Sequence, residues 1–389
     1  MKGSIKKRGK TYTYVVDLGR DPITNKRLQH TKGGFKTKKE CQVALAKIQT
    51  EYHDGTYVNE SEITLKDFAS KWLELYKATA NVKVSTVRVR QHESQVLANH
   101  FKEAKIKDIT GTMYQDFLLK SNEKYAKNTL SGIQSTSKMI FKKAIELKYI
   151  KEDPTKYAVL PKKIITVEDL ENQKDLPKFF EKNELIDFLN ICKKDYNPQS
   201  YITFLILANT GIRVGELCAL KWKDINFKDE TIKVYKTYYN PTNNTKKYQL
   251  LPPKTPSSNR TIYIDSLLIN ELRKHKVRQN EIRLKIPSWH DEDFVITKVL
   301  NFPGYPETTK QLGITMARIV ENNNLKNLSP HGLRHTHTSL LAAAGVGLEE
   351  IMERLGHKDD DITRNIYLHV TEDIKKEAPQ KFLEFLKDS

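Results

Sequence analysis

Side chains suited to phosphate chemistry crowd one stretch near the C-terminus, residues 328–370, which holds five of the chain's eleven histidines. His331, Arg334, His357 and Tyr367 lie within it. A tyrosine hydroxyl is ionised in only about one molecule in a thousand at pH 7, so it becomes a nucleophile only beside positive charge and a proton acceptor. Arginine offers a permanent charge and a planar fork of donors that matches phosphate. The combination predicts in-line attack of a tyrosine on a phosphodiester.

Two upstream segments add candidates of the same kind. In TGIRVGELCALKW, a glycine two residues before Arg213 lets the backbone turn, and Glu216, three residues after Arg213, can orient the arginine on a helix. Lys254 lies in the Pro- and Ser-rich turn of LLPPKTPSSNRTIYI, where a mobile ammonium can reach a leaving oxygen. Taken singly, these features also fit a structural ion pair and a solvated lysine.

The segment HGLRHTH is more specific, because Pro330 predicts a helix start beside it. His331 and Arg334 are then expected on one face near the helix N-terminus, where anions bind favourably. His331 and His335 also have the spacing of a zinc motif, but Gly332 stands where the glutamate base belongs and the arginine would repel a cation. We therefore expect no metal and no cofactor.

The overall composition points to a nucleic-acid partner. The net charge is +18 and the pI is about 9.4. Lys and Arg side chains that bind nucleic-acid phosphates release counterions, which favours binding. The longest apolar runs, such as FLILA, fall far short of the roughly 20 residues that span a membrane. The basic N-terminus lacks the apolar core of a secretory signal, and the three cysteines form no CxxC pair. A reducing cytoplasm fits these features.

Residues 1–57 form a small basic unit with 13 Lys and Arg against 5 Asp and Glu, a net of +8. Alternating strands, turns and a helix ending at Gly55 predict a three-stranded sheet backed by one helix. Such a unit could lay a sheet face on DNA, although a generic module with solubilising charge has the same pattern. Its predicted DNA contacts are Lys6, Lys7, Arg8, Lys10 and Arg27.

The rest of the chain is predicted to be mainly helical, with small β elements. Residues 62–155 show helical spacing of apolar side chains and predict a bundle, and residues 156–177 predict a linker. In residues 178–389, a helical segment over 201–222 precedes two β-rich stretches and further helices. The expected fold class is α+β.

In order and spacing, TGIRVGEL, PKTPSSNRTI, HGLRHTH, LGHKD and the following Tyr367 resemble the boxes of tyrosine recombinases. The similarity is greatest to lambda-type integrases of temperate phages and integrative elements, and it covers about residues 178–389. In shape and composition, residues 1–57 and 62–155 resemble the arm-binding and helical core-binding (SAM-like) domains of that group. The resemblance implies a mixed α/β catalytic domain behind two DNA-binding domains.

The resemblance also implies a role for each residue that matches a box. Arg213 and Arg334 would clamp the scissile phosphate, and Glu216 would support the first arginine. Tyr367 would attack the phosphate to give a 3′-phosphotyrosyl link and a free 5′-hydroxyl. Because each phosphodiester is exchanged for another, no ATP is needed, and the chain has no P-loop motif.

Proton transfer would fall to the remaining residues. Lys254 would protonate the leaving oxygen, while His331 and His357 would bind phosphate oxygens and assist proton transfer. Three nearby lysines stay open as alternatives to Lys254: Lys236, Lys246 and Lys247.

The implied function is a site-specific recombinase that integrates and excises a mobile element. A type IB topoisomerase-like enzyme and a non-catalytic DNA-binding regulator are the alternatives. The basic N-terminal unit favours the recombinase over the topoisomerase, and the regulator leaves the five boxes unexplained. The expected partners are double-stranded DNA at core and arm sites, a homotetramer on paired sites, a host bending factor and an excisionase, all on the bacterial nucleoid. The apolar tail residues Phe382, Leu383, Phe385 and Leu386 are expected to pack on a neighbouring protomer.

Overall fold

The computed structural model describes residues 3–20, 25–54, 62–161, 178–242, 244–253, 258–357 and 361–371. The chain divides into two compact units, Met1–Thr166 and Val167–Ser389. The predictions for Gly55, for Lys254 and for the apolar tail fall outside the described residues. Within the described ranges, every helix is too short or too polar to span a bilayer.

The N-terminal sheet and its helix confirm the predicted three-stranded arrangement. The elements are β1 (Gly3–Arg8), β2 (Thr11–Arg20), β3 (Arg27–Phe35) and α1 (Lys38–His53). The strands pair antiparallel in the order β1-β2-β3. Alternate residues of β2, namely Tyr14, Val16 and Leu18, are buried together with Cys41 of α1. Thr37 caps the helix, because its hydroxyl accepts a hydrogen bond from the Glu40 amide at 3.1 Å.

The four long helices that follow form the predicted bundle. They are α2 (Leu65–Thr79), α3 (Val84–Phe101), α4 (Gly111–Asn122) and α5 (Lys127–Glu146). Phe68 and Trp72 of α2 are buried against Tyr114, Phe117 and Phe141. These aromatic side chains therefore form part of the core of the bundle.

The described start of the predicted linker packs on this bundle. The Gln115 side chain donates to the Val159 carbonyl at 3.0 Å and accepts from the Val159 amide at 2.9 Å. Gln134 donates to the Ala158 carbonyl at 3.1 Å. These bonds satisfy backbone groups that have no helical partner, so residues 156–161 follow the bundle surface.

The second unit is helical with small antiparallel sheets, which confirms the α+β expectation. Its helices are α6 (Lys182–Lys193), α7 (Ser200–Thr210), α8 (Val214–Cys218), α9 (Ser266–Lys285), α10 (Thr309–Asn322), α11 (Gly332–Ala343), α12 (Leu348–Leu355) and α13 (Asp361–Val370). Its strands are β4 (Ile225–Asn226), β5 (Thr231–Val234), β6 (Thr237–Tyr239), β7 (Gln249–Leu251) and β8 (Arg260–Tyr263). In the described residues, β4-β5-β8 form one sheet and β6-β7 form a hairpin.

The helical segment predicted over 201–222 is interrupted at Gly211. This residue ends α7 in the left-handed conformation, with φ 62°, and its amide donates to the Leu207 carbonyl at 3.0 Å. A side chain here would meet Leu355 at 2.6 Å and His337 at 2.7 Å. Glycine is therefore required by both backbone and space, and the turn it makes sets Arg213 at the start of the short helix α8.

Candidate active site

Arg213 and Glu216 form the pair that their spacing predicted. Arg213 is the residue before α8; its amide donates to Glu216 Oε2 at 3.0 Å and its Nη1 to Oε1 at 3.1 Å. The Glu216 side chain is 5% exposed, whereas that of Arg213 is 38% exposed. The carboxylate therefore holds the arginine from inside while the guanidinium reaches the surface.

A second arginine, which sequence reasoning missed, binds the same carboxylate. Arg260 of β8 donates from Nη2 to Glu216 Oε2 at 3.0 Å, and its side chain is only 6% exposed. Its Nε donates to the Arg354 carbonyl at 2.7 Å. The sequence held a signal for it, since Arg260 lies two residues before Ile262 and therefore on the same, buried face of β8. A charge on the buried face of a strand needs a partner.

The charge of Glu216 follows from these neighbours. Burial alone would raise the pKa of its carboxyl, but the attraction and hydrogen bonds of Arg260, followed by those of Arg213, outweigh burial and lower the pKa below its ordinary value. Glu216 is therefore ionised at neutral pH.

Arg334 lies on α11 in the second unit and is 2% exposed. Its Nη1 donates to the Gly211 carbonyl at 2.6 Å, and its Nη2 donates to the Leu355 carbonyl at 2.7 Å. The same Nη2 lies 2.6 Å from Nε2 of His357. Three distant segments are thus joined by one guanidinium, and one of them is the turn that leads into Arg213.

The contact with Arg334 fixes the tautomer of His357. An arginine can only donate, so Nε2 of the imidazole accepts and the proton resides on Nδ1. Nδ1 lies 3.0 Å from the Thr363 hydroxyl and donates to it. Thr363 lies on α13, one turn before Tyr367. A hydrogen-bonded path therefore runs from Arg334 to the helix that carries the predicted nucleophile.

Tyr367 is half-buried on α13. It packs against a small cluster of Ala342 on α11 with Ile351 and Leu355 on α12. Tyr367 is therefore positioned by the helix that carries Arg334 and by the helix that leads to His357.

His331 lies just before α11 and is exposed, whereas Arg334 lies on that helix and is buried. The two residues that were expected on one helix face therefore differ in their exposure to solvent. The His331 ring contacts that of His335, with centroids 4.9 Å apart and planes at 85°. This position leaves His331 at the surface of the unit, where a bound phosphate can be reached.

The hairpin lysines have unequal surroundings in the described part of the chain. Lys236 forms a buried ion pair with Asp224, in which the two side chains are 12% and 3% exposed. Lys246 lies over the ring of Phe302, 5.6 Å from its centroid, and Lys247 is exposed. Lys236 is therefore the alternative to Lys254 that is already bound to a carboxylate.

A further buried pair, also missed in the sequence, braces the site. The His337 Nδ1 donates to the Ala208 carbonyl at 2.8 Å, and its Nε2 accepts from Arg354 Nε at 3.0 Å. Burial, followed by the charge of Arg354, lowers the pKa of His337 to about 3. Arg354 also donates to the Asn209 carbonyl at 2.9 Å. A neutral imidazole thus locks α12 to the end of α7.

The predicted DNA contacts of the N-terminal sheet divide between its two faces. Ile5 packs on the core beneath α1, so strand alternation puts Lys7 on that side and Lys6 and Arg8 on the open side. Lys10 lies in the turn between β1 and β2. Arg27 is held by Asp17, with Nη2 2.6 Å from Oδ2. The open face therefore keeps Lys6 and Arg8 as its exposed cations on β1.

Comparison with known families agrees with this arrangement. Residues 178–373 match the Phage integrase family, residues 4–52 an Arm DNA-binding domain, and residues 64–120 the Phage integrase N-terminal SAM-like domain. The prophage ps2 probable integrase of Lactococcus lactis strain IL1403 is 31% identical over 369 residues, which cover 92% of this chain and 93% of that protein. The integrase of Staphylococcus phage L54a is 28% identical, covering 86% and 97%.

Solved structures share the fold. The Tn1549 transposon integrase in complex with transposon right end DNA aligns with a TM-score of 0.64 at 22% identity, covering 82% of this chain and 99% of that one. A lambda integrase dimer bound to a COC′ core site aligns with a TM-score of 0.57 at 17% identity, covering 93% and 94%. The chain therefore belongs to the phage integrase family, and it is a tyrosine recombinase that acts in site-specific DNA recombination.

Proposed function

We propose that Tyr367 cuts and rejoins DNA at the attachment sites of a mobile element while Arg213 and Arg334 hold the scissile phosphate. The observation that carries this assignment is the path from Arg334 through His357 to Thr363 on the helix of Tyr367. The Gly211 carbonyl joins the same arginine to the turn before Arg213. Residues far apart in sequence are thus joined by hydrogen bonds.

The two arginines suit different parts of phosphate binding. Arg334 is fixed by two backbone carbonyls and needs no reorganisation as charge develops on a pentacoordinate phosphate. Arg213 is more exposed and can meet the DNA first. In the first step, the Tyr367 hydroxyl gives its proton to one of the two site histidines as its oxygen bonds to phosphorus. The bond from phosphorus to the 5′ oxygen breaks, and that oxygen takes a proton, for which we assign Lys254 as donor. Attack by a 5′-hydroxyl reverses the step and restores the tyrosine.

His331 and His357 are assigned to phosphate binding and proton transfer. The Nε2 lone pair of His357 accepts from Arg334, so it can take a proton only when the imidazole leaves that contact. His331, at the surface before α11, is placed to contact a phosphate oxygen.

Partners and domain roles complete the proposal. We assign residues 1–57 to arm sites, residues 62–155 to the core site and residues 178–389 to catalysis, on double-stranded DNA in the cytoplasm. Lys6, Lys7, Arg8, Lys10 and Arg27 are the assigned arm contacts. A lambda integrase tetramer was solved bound to a Holliday junction, which supports a homotetramer on paired sites. A host bending factor and an excisionase are the proposed accessory proteins.

The test is a covalent protein–DNA adduct that survives SDS. Purified protein is incubated with end-labelled duplexes from both sides of its own gene. We expect an adduct that Tyr367→Phe abolishes and that Tyr263→Phe, which alters a 74% exposed tyrosine of the same unit, retains. Tight binding with no adduct from the unchanged protein would contradict the catalytic assignment, and an adduct that persists in Tyr367→Phe would contradict the choice of nucleophile.

A further inference from the structure

Arg260 is buried beside the site but has no part in the reaction described above. The Glu216 carboxylate lies between two guanidiniums: Arg213 donates to Oε1 at 3.1 Å, and Arg260 donates to Oε2 at 3.0 Å. Two positive groups and one negative group leave this cluster with a net charge of +1. Without Arg260, the Arg213–Glu216 pair would be neutral.

The division of the carboxylate between them matters for phosphate binding. Arg213 uses a single guanidinium nitrogen, Nη1, on Glu216, and the second carboxylate oxygen accepts from the Arg213 amide and from Arg260. A guanidinium engaged by both oxygens of a carboxylate would have its fork filled by that partner. Arg260 donates to Oε2, the oxygen that a second guanidinium nitrogen of Arg213 would otherwise bind. The guanidinium of Arg213 is therefore not pulled towards the interior.

Arg260 also joins this cluster to Arg334. Its Nε donates to the carbonyl of Arg354, and Arg334 donates to the carbonyl of the next residue, Leu355. These are the last two carbonyls of α12, which have no helical partner and lie at the negative end of the helix dipole. The two buried arginines therefore bind one helix end side by side.

A third bond reaches Ser258, which is four residues after Lys254 in the sequence. Arg260 Nη1 donates to the Ser258 carbonyl at 3.1 Å, and Ser258 is itself buried. Arg260 thus contacts Glu216, Ser258 and the end of α12, which leads to His357.

We propose that Arg260 is a positioning residue that neutralises Glu216, so that Arg213 keeps a net positive charge and an outward guanidinium for the scissile phosphate. The inference rests on the proposed role of Arg213. Arg260 acts through Arg213 and does not touch DNA.

The experiment compares Arg260→Met with the double variant Glu216→Gln/Arg260→Met in the adduct assay. The single variant should form adduct on the order of 10 to 100 times more slowly, because a preorganised positive group is neutralised. DNA affinity should change by less than about threefold, because most phosphate contacts lie elsewhere. The double variant removes the carboxylate as well, so Arg213 regains its charge and the rate should recover above that of the single variant. A purely structural role predicts no such recovery.

Arg318→Met is the matched control, since Arg318 forms an ion pair with Asp195 in the same unit at 2.8 Å. It should lower the melting temperature but leave the adduct rate unchanged. Arg260→Lys keeps the charge without the planar fork and should give an intermediate rate.

An unchanged rate in Arg260→Met, or a double variant no faster than the single one, would overturn the role of Arg260 while the Tyr367-dependent adduct of the unchanged protein stands. Should Arg260→Met fail to fold, the double variant decides, because it buries no unpaired charge. Its rate must then lie within about tenfold of the unchanged protein, and a larger loss refutes the proposal. Absence of any adduct from the unchanged protein overturns the proposed function and this role with it.

Discussion

Gly211→Ala tests whether the turn before Arg213 is fixed by the packing of other elements. The backbone at Gly211 has φ 62°, and an added Cβ would lie 2.6 Å from Leu355 Cδ2 and 2.7 Å from His337 Cδ2. The left-handed conformation costs an alanine about 1–2 kcal/mol. Forcing a methyl group into a packed core adds about 1–3 kcal/mol. The expected loss of folding free energy is therefore about 2–5 kcal/mol.

Gly345→Ala separates the two contributions. Gly345 lies in the same unit with φ 83°, but a Cβ there meets nothing within 4 Å. This variant should carry the backbone strain alone, about 1–2 kcal/mol. In a unit of this size, 1 kcal/mol corresponds to roughly 2–4 °C in melting temperature. Gly211→Ala should therefore melt about 2–12 °C below Gly345→Ala.

The assay is calorimetry of the full chain, combined with the adduct rate. The Gly211 carbonyl holds Arg334 Nη1 at 2.6 Å, so displacement of the turn should also slow adduct formation about tenfold or more, as small misplacements of a catalytic group do. Gly345→Ala should react normally once folded. Equal melting temperatures for the two variants would refute the packing argument, and an unchanged rate in Gly211→Ala would refute the anchoring of Arg334.

Three further predictions concern pH, salt and a buried contact. The pKa of His337 falls from 6.5 in the unfolded chain to about 3 in the folded chain, so its contribution to stability is complete above pH 6.5 and is lost as pH falls towards 3. At pH 5 the free energy of unfolding should be about 2 kcal/mol lower for this reason. In denaturation curves taken between pH 5 and 7, His337→Asn should make the free energy of unfolding depend less on pH. Lys6→Ala should reduce, by about one unit, the slope of the logarithm of the arm-DNA binding constant against the logarithm of the salt concentration. Lys7→Ala, on the helix side, should change this slope less, and identical slopes for the two variants would count against binding by the open face. Thr136→Val should lower the free energy of unfolding by about 2–4 kcal/mol, because the buried hydroxyl donates to the Glu93 carboxylate at 2.5 Å and accepts from Arg90 at 2.8 Å. Thr136→Ser keeps the hydroxyl, so its free energy of unfolding in urea titrations should fall by only about 1 kcal/mol.

Local pattern predicted most of the elements. Alternation in β2 and helical spacing in α2 each reflect the burial of one face, which is a property of neighbouring residues. The same reasoning failed at Gly211, because a glycine inside an apolar run is compatible with a continuous helix until the end of another helix packs against it. The pair of Arg213 and Glu216 was predictable, because its three-residue spacing lies within one helical turn.

The sequence by itself determined which groups are available: a tyrosine, arginines, histidines and a basic surplus without a metal-binding pattern, in an order that resembles tyrosine recombinases. Tertiary structure alone decided how groups that are distant in the sequence are joined. Arg260 meets Glu216 across 44 residues and Arg334 meets Gly211 across 123. Such contacts depend on how helices and strands pack, and a charge is buried only where packing brings it a partner. The partners of the residues that brace the site, Arg260 and His337, are therefore visible only in the folded chain.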